Sequence, residues 1–378
     1  LTVVGSANAR AWNEQVLYSF TGGVDGQQPW AGVTLDGAGN IYGAVTFAGA
    51  SQNCGPSGCG NIYKIASDGT FSVLHNFSWD DGANPASDLV LDKATGDLYG
   101  STLSGGSGGA GTVFKLASNG TLTTLYAFTG GADGNTPEGR LLRTRRGDIY
   151  GTTYGGGDHN MGLLYELTAG GKLKRWHSFG EGAGDGTFPT GAGLAASGHV
   201  IYGMTQFGGS SDYGTVFQLD LTSNAYWTMH SFAGGKDGRY PAAGLIADKD
   251  GTVYGTTQDG GGSYDICTYG CGTVFAMTPA GSETILHRFK GGADGSNSLA
   301  TLVRTGKGAL FGTTNDGSKG TVFELKPDGH EHVLHTFGEA GDGFEPVTGV
   351  TRDKSGNLYG TTDLGGASGL GTVYVLRK

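Results

Sequence analysis

The sequence predicts an all-β fold, a seven-bladed β-propeller with four antiparallel strands per blade. Three features predict it. A strand ending in Phe recurs seven times, at Phe20, Phe77, Phe128, Phe179, Phe232, Phe289 and Phe337, with spacings of 57, 51, 51, 53, 57 and 48 residues. Each interval holds four strand-like runs separated by turn residues, which is the repeat signature of a propeller. The chain opens on a Phe strand with nothing before it and closes on GTVYVLRK, one strand short of a unit. The first strand is therefore expected to complete the last blade, with Glu14–Phe20 beside Gly371–Leu376, which removes an exposed edge.

The elements of one unit follow in order. After Phe comes a long loop of the type GGxDGxxP, then an apolar run such as AGVTLD, SDLVLD or AGLIAD. A tight turn such as DGAGN leads into NIYG, DLYG, TVYG or NLYG, continued by Thr-Thr or a relative. A Gly-rich loop reaches GTVFKL, GTVFQL or GTVFEL, and a second tight turn, SDGT or SNGT, returns to the next Phe strand. Period-2 alternation, β-branched and aromatic enrichment and Gly/Asp/Asn turns all indicate strands. The domain organisation that follows is a lead over residues 1–13 and one propeller over 14–378.

Composition agrees. Glycine numbers 76 of 378 residues without a Gly-X-Y period, and 10% of residues are aromatic, which fits many short strands joined by tight turns. A closed ring of repeats also explains how one domain reaches this length, since each unit buries its faces on its neighbours. The net charge is −10 and no basic run interleaved with aromatics occurs, so nucleic acid is not an expected partner. No apolar stretch is long enough for a membrane helix. The opening LTVVGSANA, with Ala7-Asn8-Ala9 as a small-x-small site, reads as the tail of a signal peptide. Four cysteines fall in two local pairs, Cys54/Cys59 in CGPSGC and Cys267/Cys271 in CTYGC. They lie in repeats one and five and do not easily converge on one zinc ion, so two local disulfides in an oxidising compartment are expected.

The YGTT, GTVF and Phe-strand motifs together resemble the GloVer tandem-repeat family of secreted bacterial proteins, in register from about Glu14 to Lys378. The resemblance implies the repeat fold and export to the cell surface or beyond. It implies no shared activity. Members of that family differ in their C-terminal surface anchors, and no hydrophobic tail or sorting signal precedes Lys378.

The two tight turns of each unit fall on one face of the ring and the two long loops on the other, so the long-loop face is the expected binding surface. Residues that break the repeat there are the site candidates. At the start of the inner strand Gly32, Gly193, Gly244 and Gly349 are matched by Asp88, Arg140 and Thr301. Asp88 and Arg140, in adjacent blades, are placed to form an ion pair or to hold a ligand. The position after YGTT holds Thr46, Leu103, Tyr154, Gln206, Gln258, Asn315 and Asp363, a ring suited to polar contact. Repeat three deviates most, combining Glu138, Arg140, Tyr154, Asp158, His159 and Asn160. Tyr154 or His159 as base with Arg140 against a uronate would suit a lyase, and Glu138 paired with Asp88 would suit a glycosidase. Trp30, Gln206, Gln258, Tyr240 and Phe344 are expected to contact ligand, with Trp79, Phe188 and Phe207 as further loop aromatics.

Two recurrent features read as structural. His75, His177, His230, His287 and His335 share their slot with Tyr18 and Tyr126, which indicates packing and hydrogen bonding and no metal ring. Asp25, Asp81, Asp133, Asp185, Asp237, Asp294 and Asp342 recur in the post-Phe loop, as Asx turns require. No cofactor or metal is expected. The sequence thus points to a secreted or cell-surface monomer that binds polysaccharide or another glycan. A polysaccharide lyase or glycoside hydrolase centred on repeats two and three, and a protein-interaction scaffold, are the alternatives.

Overall fold

The computed structural model describes residues 12–51, 53–189, 193–316, 319–339 and 341–378. The signal-peptide reading of the first residues lies outside the described residues. Among the described residues there is no α-helix, only two 3-10 turns at Gly55–Ser57 and Gly292–Asp294. The strands form seven antiparallel blades in series. Blade one runs outward from Thr34–Leu35 through Ile41–Val45 and Asn61–Ile65 to Phe71–Asn76, and the other units repeat this order. Blade seven consists of Thr351–Arg352, Leu358–Thr362 and Thr372–Arg377, completed by Asn13–Ser19. Glu14 pairs with Leu376 and Ser19 with Thr372, and the Phe20 N–H donates to the Gly371 carbonyl at 3.0 Å. The ring closes as the missing strand at each end required.

One contact explains the YG and GTVF motifs together. The glycine of each YG strand lies directly opposite the aromatic of the neighbouring strand: Gly43 opposite Tyr63, Gly203 opposite Phe217, Gly360 opposite Tyr374. In all seven blades a Cβ on that glycine would come within 2.3–2.7 Å of the ring. The ring therefore lies across bare backbone, an arrangement only glycine permits. The Phe that ends the preceding blade's outer strand meets the same ring at centroid separations of 5.0–5.5 Å, seven times around the molecule. These phenylalanines are essentially inaccessible to solvent. Edge-to-face aromatic packing at blade seams is thus the common element of the core.

The threonines after YG fasten this arrangement. Thr256, Thr313 and Thr361 donate across the seam to the carbonyls of Ser298, Thr348 and Ala31 at 3.1, 2.8 and 3.1 Å, the last one spanning the ring closure. The second threonine pairs within the blade, as in Thr205–Thr215 and Thr362–Thr372, both 2.8 Å. The recurrent loop aspartates shape their loops as expected. Asp133, for example, accepts the Thr129 N–H at 2.9 Å and the Tyr126 hydroxyl at 3.0 Å, and Asp81 meets His75 Nε2 at 2.9 Å. Both expected disulfides form, Cys54–Cys59 and Cys267–Cys271, each in the long loop after a YG strand.

In three blades the core ring is Tyr63, Tyr165 or Tyr374, and its hydroxyl is buried without a hydrogen-bond partner. Four blades place Phe there. Removing an unsatisfied buried hydroxyl relieves a desolvation cost. Tyr165→Phe is therefore expected to raise stability by about 1 kcal/mol in chemical denaturation. A loss of stability would mean that the hydroxyl has a buried partner such as water.

Candidate functional site

The innermost strands enclose a central channel with three sections. The mouth on the long-loop face is a cavity of about 480 Å³ lined by two positions per repeat. One is the residue two before the inner-strand glycine, giving Trp30, Ala86, Glu138, Ala242, Leu299 and Val347; the other follows YGTT, giving Leu103, Tyr154, Gln206 and Asp363. Below it the channel narrows to about 60 Å³ beside Asp88, Arg140, Gly193, Gly244, Thr301 and Gly349. It widens again to about 450 Å³ toward the tight-turn face, where Asp248, Arg304 and Thr305 join the lining.

The pinch accounts for the glycines. A Cβ on Gly193 would stand 2.9 Å from the Arg140 Cβ, and one on Gly349 would stand 2.2 Å from the Thr301 carbonyl oxygen. Each larger side chain occupies room left by a neighbour's missing Cβ. Asp88 Oδ1 accepts the Gly32 N–H at 2.6 Å, and Thr301 Oγ1 accepts the Gly244 N–H at 3.0 Å. The anticipated Asp88–Arg140 ion pair does not form; Asp88 turns to the backbone of blade one, and Arg140 is exposed in the channel.

The five residues considered for catalysis are thus divided. Glu138 and Tyr154 share the mouth, and Asp88 and Arg140 share the pinch. His159 is exposed on the blade-three loop and lines none of the three sections, while neighbouring Asp158 pairs with Arg175. Of the expected ligand contacts, Trp30 and Gln206 reach the mouth. Phe344 packs against the core of the last two blades, and Gln258 lines no channel section.

The mouth contains a carboxyl group that the repeat pattern did not distinguish from its neighbours. Asp363 is only 8% exposed and accepts the Trp30 indole N–H at 2.8 Å. Burial pushes its pKa up to about 6, with Glu345 adding repulsion, and the Trp30 bond opposes the rise.

A line of touching aromatic rings extends from the mouth over blades three to five. Tyr154 lies 5.0 Å from Phe188, Phe188 lies 6.2 Å from Phe207, Phe207 lies 5.2 Å from Tyr240, and Tyr240 lies 5.7 Å from Tyr213. Arg239, held by Asp259 at 3.3 Å, covers Tyr240 and reaches Tyr269 at 4.6 Å. The disulfide loop of blade five presents Tyr264, Ile266 and Tyr269, which are 54%, 68% and 62% exposed.

Backbone geometry marks a further ring. Gln28, Asn84, Thr136, Phe188, Tyr240, Asn297 and Glu345 occupy equivalent positions in the post-Phe loops, all with φ between 53° and 59°. Each donates its N–H to a loop carbonyl of the preceding blade, as Phe188 does to Met161 at 2.8 Å and Tyr240 to Tyr213 at 2.9 Å. Left-handed backbone costs a non-glycine residue roughly 1–2 kcal/mol. The chain uses glycine at most of its other positive-φ positions, yet at none of these seven. The signal available in the sequence was, for all but Asn297, the variable residue before the loop proline, as in Phe188-Pro189 and Tyr240-Pro241.

The Gloeobacter/Verrucomicrobia repeat profile matches residues 6–201, 46–268 and 263–378. No curated protein matches the sequence. Among solved structures, the extracellular domain of the one-component system protein BT4673 from B. thetaiotaomicron aligns at TM-score 0.56 and 12% identity, covering 97% of this chain and 40% of that one. A Bacteroides uniformis protein assigned as a 6-phosphogluconolactonase aligns at TM-score 0.53 and 18% identity, covering 81% and 84%. A gluconolactonase from Xanthomonas campestris aligns at 0.48 and 15%, covering 97% and 89%. At these identities the likeness is one of fold.

The raised Asp363 pKa has a signed consequence. Between its ordinary 3.8 and about 6 the folded chain holds a proton that the unfolded chain releases, so this group's contribution to stability falls as pH rises through that window. Asp363→Asn removes that dependence. Melting curves from pH 4 to 7 should show the variant gaining on the parent, by up to about 3 kcal/mol at the top of the range. A pH-independent difference would mean that Asp363 titrates normally.

Proposed function

This chain belongs to the Gloeobacter/Verrucomicrobia repeat family, and from that premise we propose that it is an exported propeller that binds glycan on its long-loop face. The observation that carries this reading is the line of contiguous aromatic rings beside a polar mouth. Sugar rings present flat C–H faces that pack on aromatic faces, and their hydroxyls seek polar groups at the edges. Tyr154, Phe188, Phe207 and Tyr240 supply the first, and Gln206, Glu138 and Asp363 the second. Phe188 and Tyr240 are also two of the strained left-handed residues. Strain kept where glycine would relieve it fits side chains that are needed where they stand. The two local disulfides fit an oxidising compartment outside the cell.

A second reading has one specific observation in its favour. Asp363 and Glu138 line the same mouth, and a carboxyl with a pKa near 6 is suited to donate a proton to a glycosidic oxygen while a second carboxylate activates water or attacks. This moves the enzymatic alternative from Asp88, Arg140 and His159 to Asp363 and Glu138.

A polysaccharide panel separates the readings when both retention and newly formed reducing or unsaturated ends are measured. The binder reading expects retention without new ends, and Phe207→Ala or Tyr240→Ala should weaken it roughly tenfold each. The hydrolase reading expects new ends that vanish in Asp363→Asn while retention persists. Retention unaffected by either aromatic change would remove the aromatic line from the binding surface.

A further inference from the structure

Where one blade's outer strand faces the next, the residue at one register position near the start of the later strand decides what fills the seam. In blades one to four this residue is Phe71, Leu122, Leu173 or Tyr226. Phe71 stacks on Tyr18 at 3.9 Å, and Tyr226 stacks on His177 at 3.6 Å. In blades five, six and seven the same position is Glu283, Glu331 and Glu14. Each glutamate faces a His and an Asp, in the place where the preceding seams use a Tyr–Asp or His–Asp pair to shape a loop.

We propose that two of these seams, His230–Asp237–Glu283 and His287–Asp294–Glu331, are binding sites for a divalent transition-metal cation of the zinc type, which fastens blade four to five and blade five to six. In both clusters one ligand atom from each residue lies within 4.8 Å of the others. The three residues come from three separate segments. In both, the glutamate Oε1 is shielded from solvent without a hydrogen-bond partner, as is Oε1 of Glu14, while the carboxyl lies within hydrogen-bond reach of the facing aspartate. A buried carboxylate oxygen beside a second carboxylate requires a positive partner or a proton.

The His–Asp spacing is compatible with either a hydrogen bond or a shared cation. His75, His177 and His335 approach their aspartates to 2.9, 3.0 and 3.0 Å, ordinary hydrogen-bond lengths. His230 stands 3.2 and 3.3 Å from the two Asp237 oxygens, and His287 stands 3.3 Å from Asp294. Two ligands each ~2.1 Å from one tetrahedral zinc are roughly 3.4 Å apart. One imidazole with two carboxylates, leaving a position for water, suits zinc better than calcium, which takes 6–8 oxygens. The third seam, Glu14 with His335 and Asp342, has the same residue types without this convergence and serves as the internal comparison. Burial and the facing Asp237 push Glu283 up to about 9, so a proton is the competing occupant.

Calorimetric titration of chelator-treated protein with zinc at pH 7.5 tests the proposal. Two equivalents are expected, with a melting temperature that rises as zinc is added. Glu283→Leu and Glu331→Leu should each remove one equivalent and keep the fold, because Leu fills this position in blades two and three. His230→Tyr and His287→Tyr give a second route, since Tyr18 and Tyr126 fill the histidine position elsewhere. No zinc binding by the parent chain, or a stoichiometry that stays the same in the double Glu and double His variants, would overturn the sites and leave the glutamates held by shared protons.

Discussion

The ring is held by an aromatic side chain lying across a glycine. Within a blade, that contact fixes how the YG strand and the GTVF strand align, because only one register puts bare backbone beneath the ring. Between blades, the preceding Phe meets the same ring at 5.0–5.5 Å. One side chain thus belongs to both interfaces. A one-residue slip of either strand would carry a Cβ into the ring and turn the buried face outward. Seven repetitions make the two constraints mutually dependent, and the strand taken from the start of the chain supplies the last of them. The threonine bonds across the seams satisfy polar groups that this close approach would otherwise leave buried and unpaired.

Convergence of seven inner strands has a second effect. It leaves no room for side chains at the channel's waist, so glycine is required unless a neighbour yields space. Asp88, Arg140 and Thr301 each stand against a glycine of an adjacent blade, Gly32, Gly193 and Gly244, for this reason. What reads in the sequence as a break in the pattern is therefore first a packing solution. Above the waist the channel widens, and the residues lining the mouth are released from that constraint. Their diversity, from Trp30 and Leu103 to Gln206 and Asp363, reflects freedom that the waist does not have.

The repeat made the fold legible. Phe strands, tight turns and the unpaired first and last strands together determine blade number, closure and the face that bears the long loops. The disulfides were legible because both cysteine pairs are local in sequence. The site was legible only in part. Glu138, Tyr154, Trp30 and Gln206 do reach the mouth, but alignment of repeats cannot tell a waist position from a rim position two residues away. Arg140 and Glu138 differ by that interval and lie in different channel sections. Asp363 was one of seven varied residues at the position after YGTT; its burial under Trp30 comes from a contact between the first and last repeats. The left-handed residues before proline share no side-chain type, so the backbone state they have in common leaves only a positional trace.

Departures from a repeat carry different information according to burial. At an exposed loop a changed residue can be solvated, and its free energy cost is small. At a seam the alternatives are a packed ring, a packed aliphatic group or a charge that must be neutralised. Blades one to four choose the first two, and their seams close without further help. Blades five to seven put glutamate there, in a setting that lifts Glu14, Glu283 and Glu331 above the ordinary carboxylate range, chiefly by burial. The aspartate and histidine that only shape a loop at His75–Asp81, His177–Asp185 and His335–Asp342 are, in the two seams proposed as metal sites, set beside a glutamate as a set of ligands. A residue's role in this ring is decided less by its own identity than by what the neighbouring blade places against it.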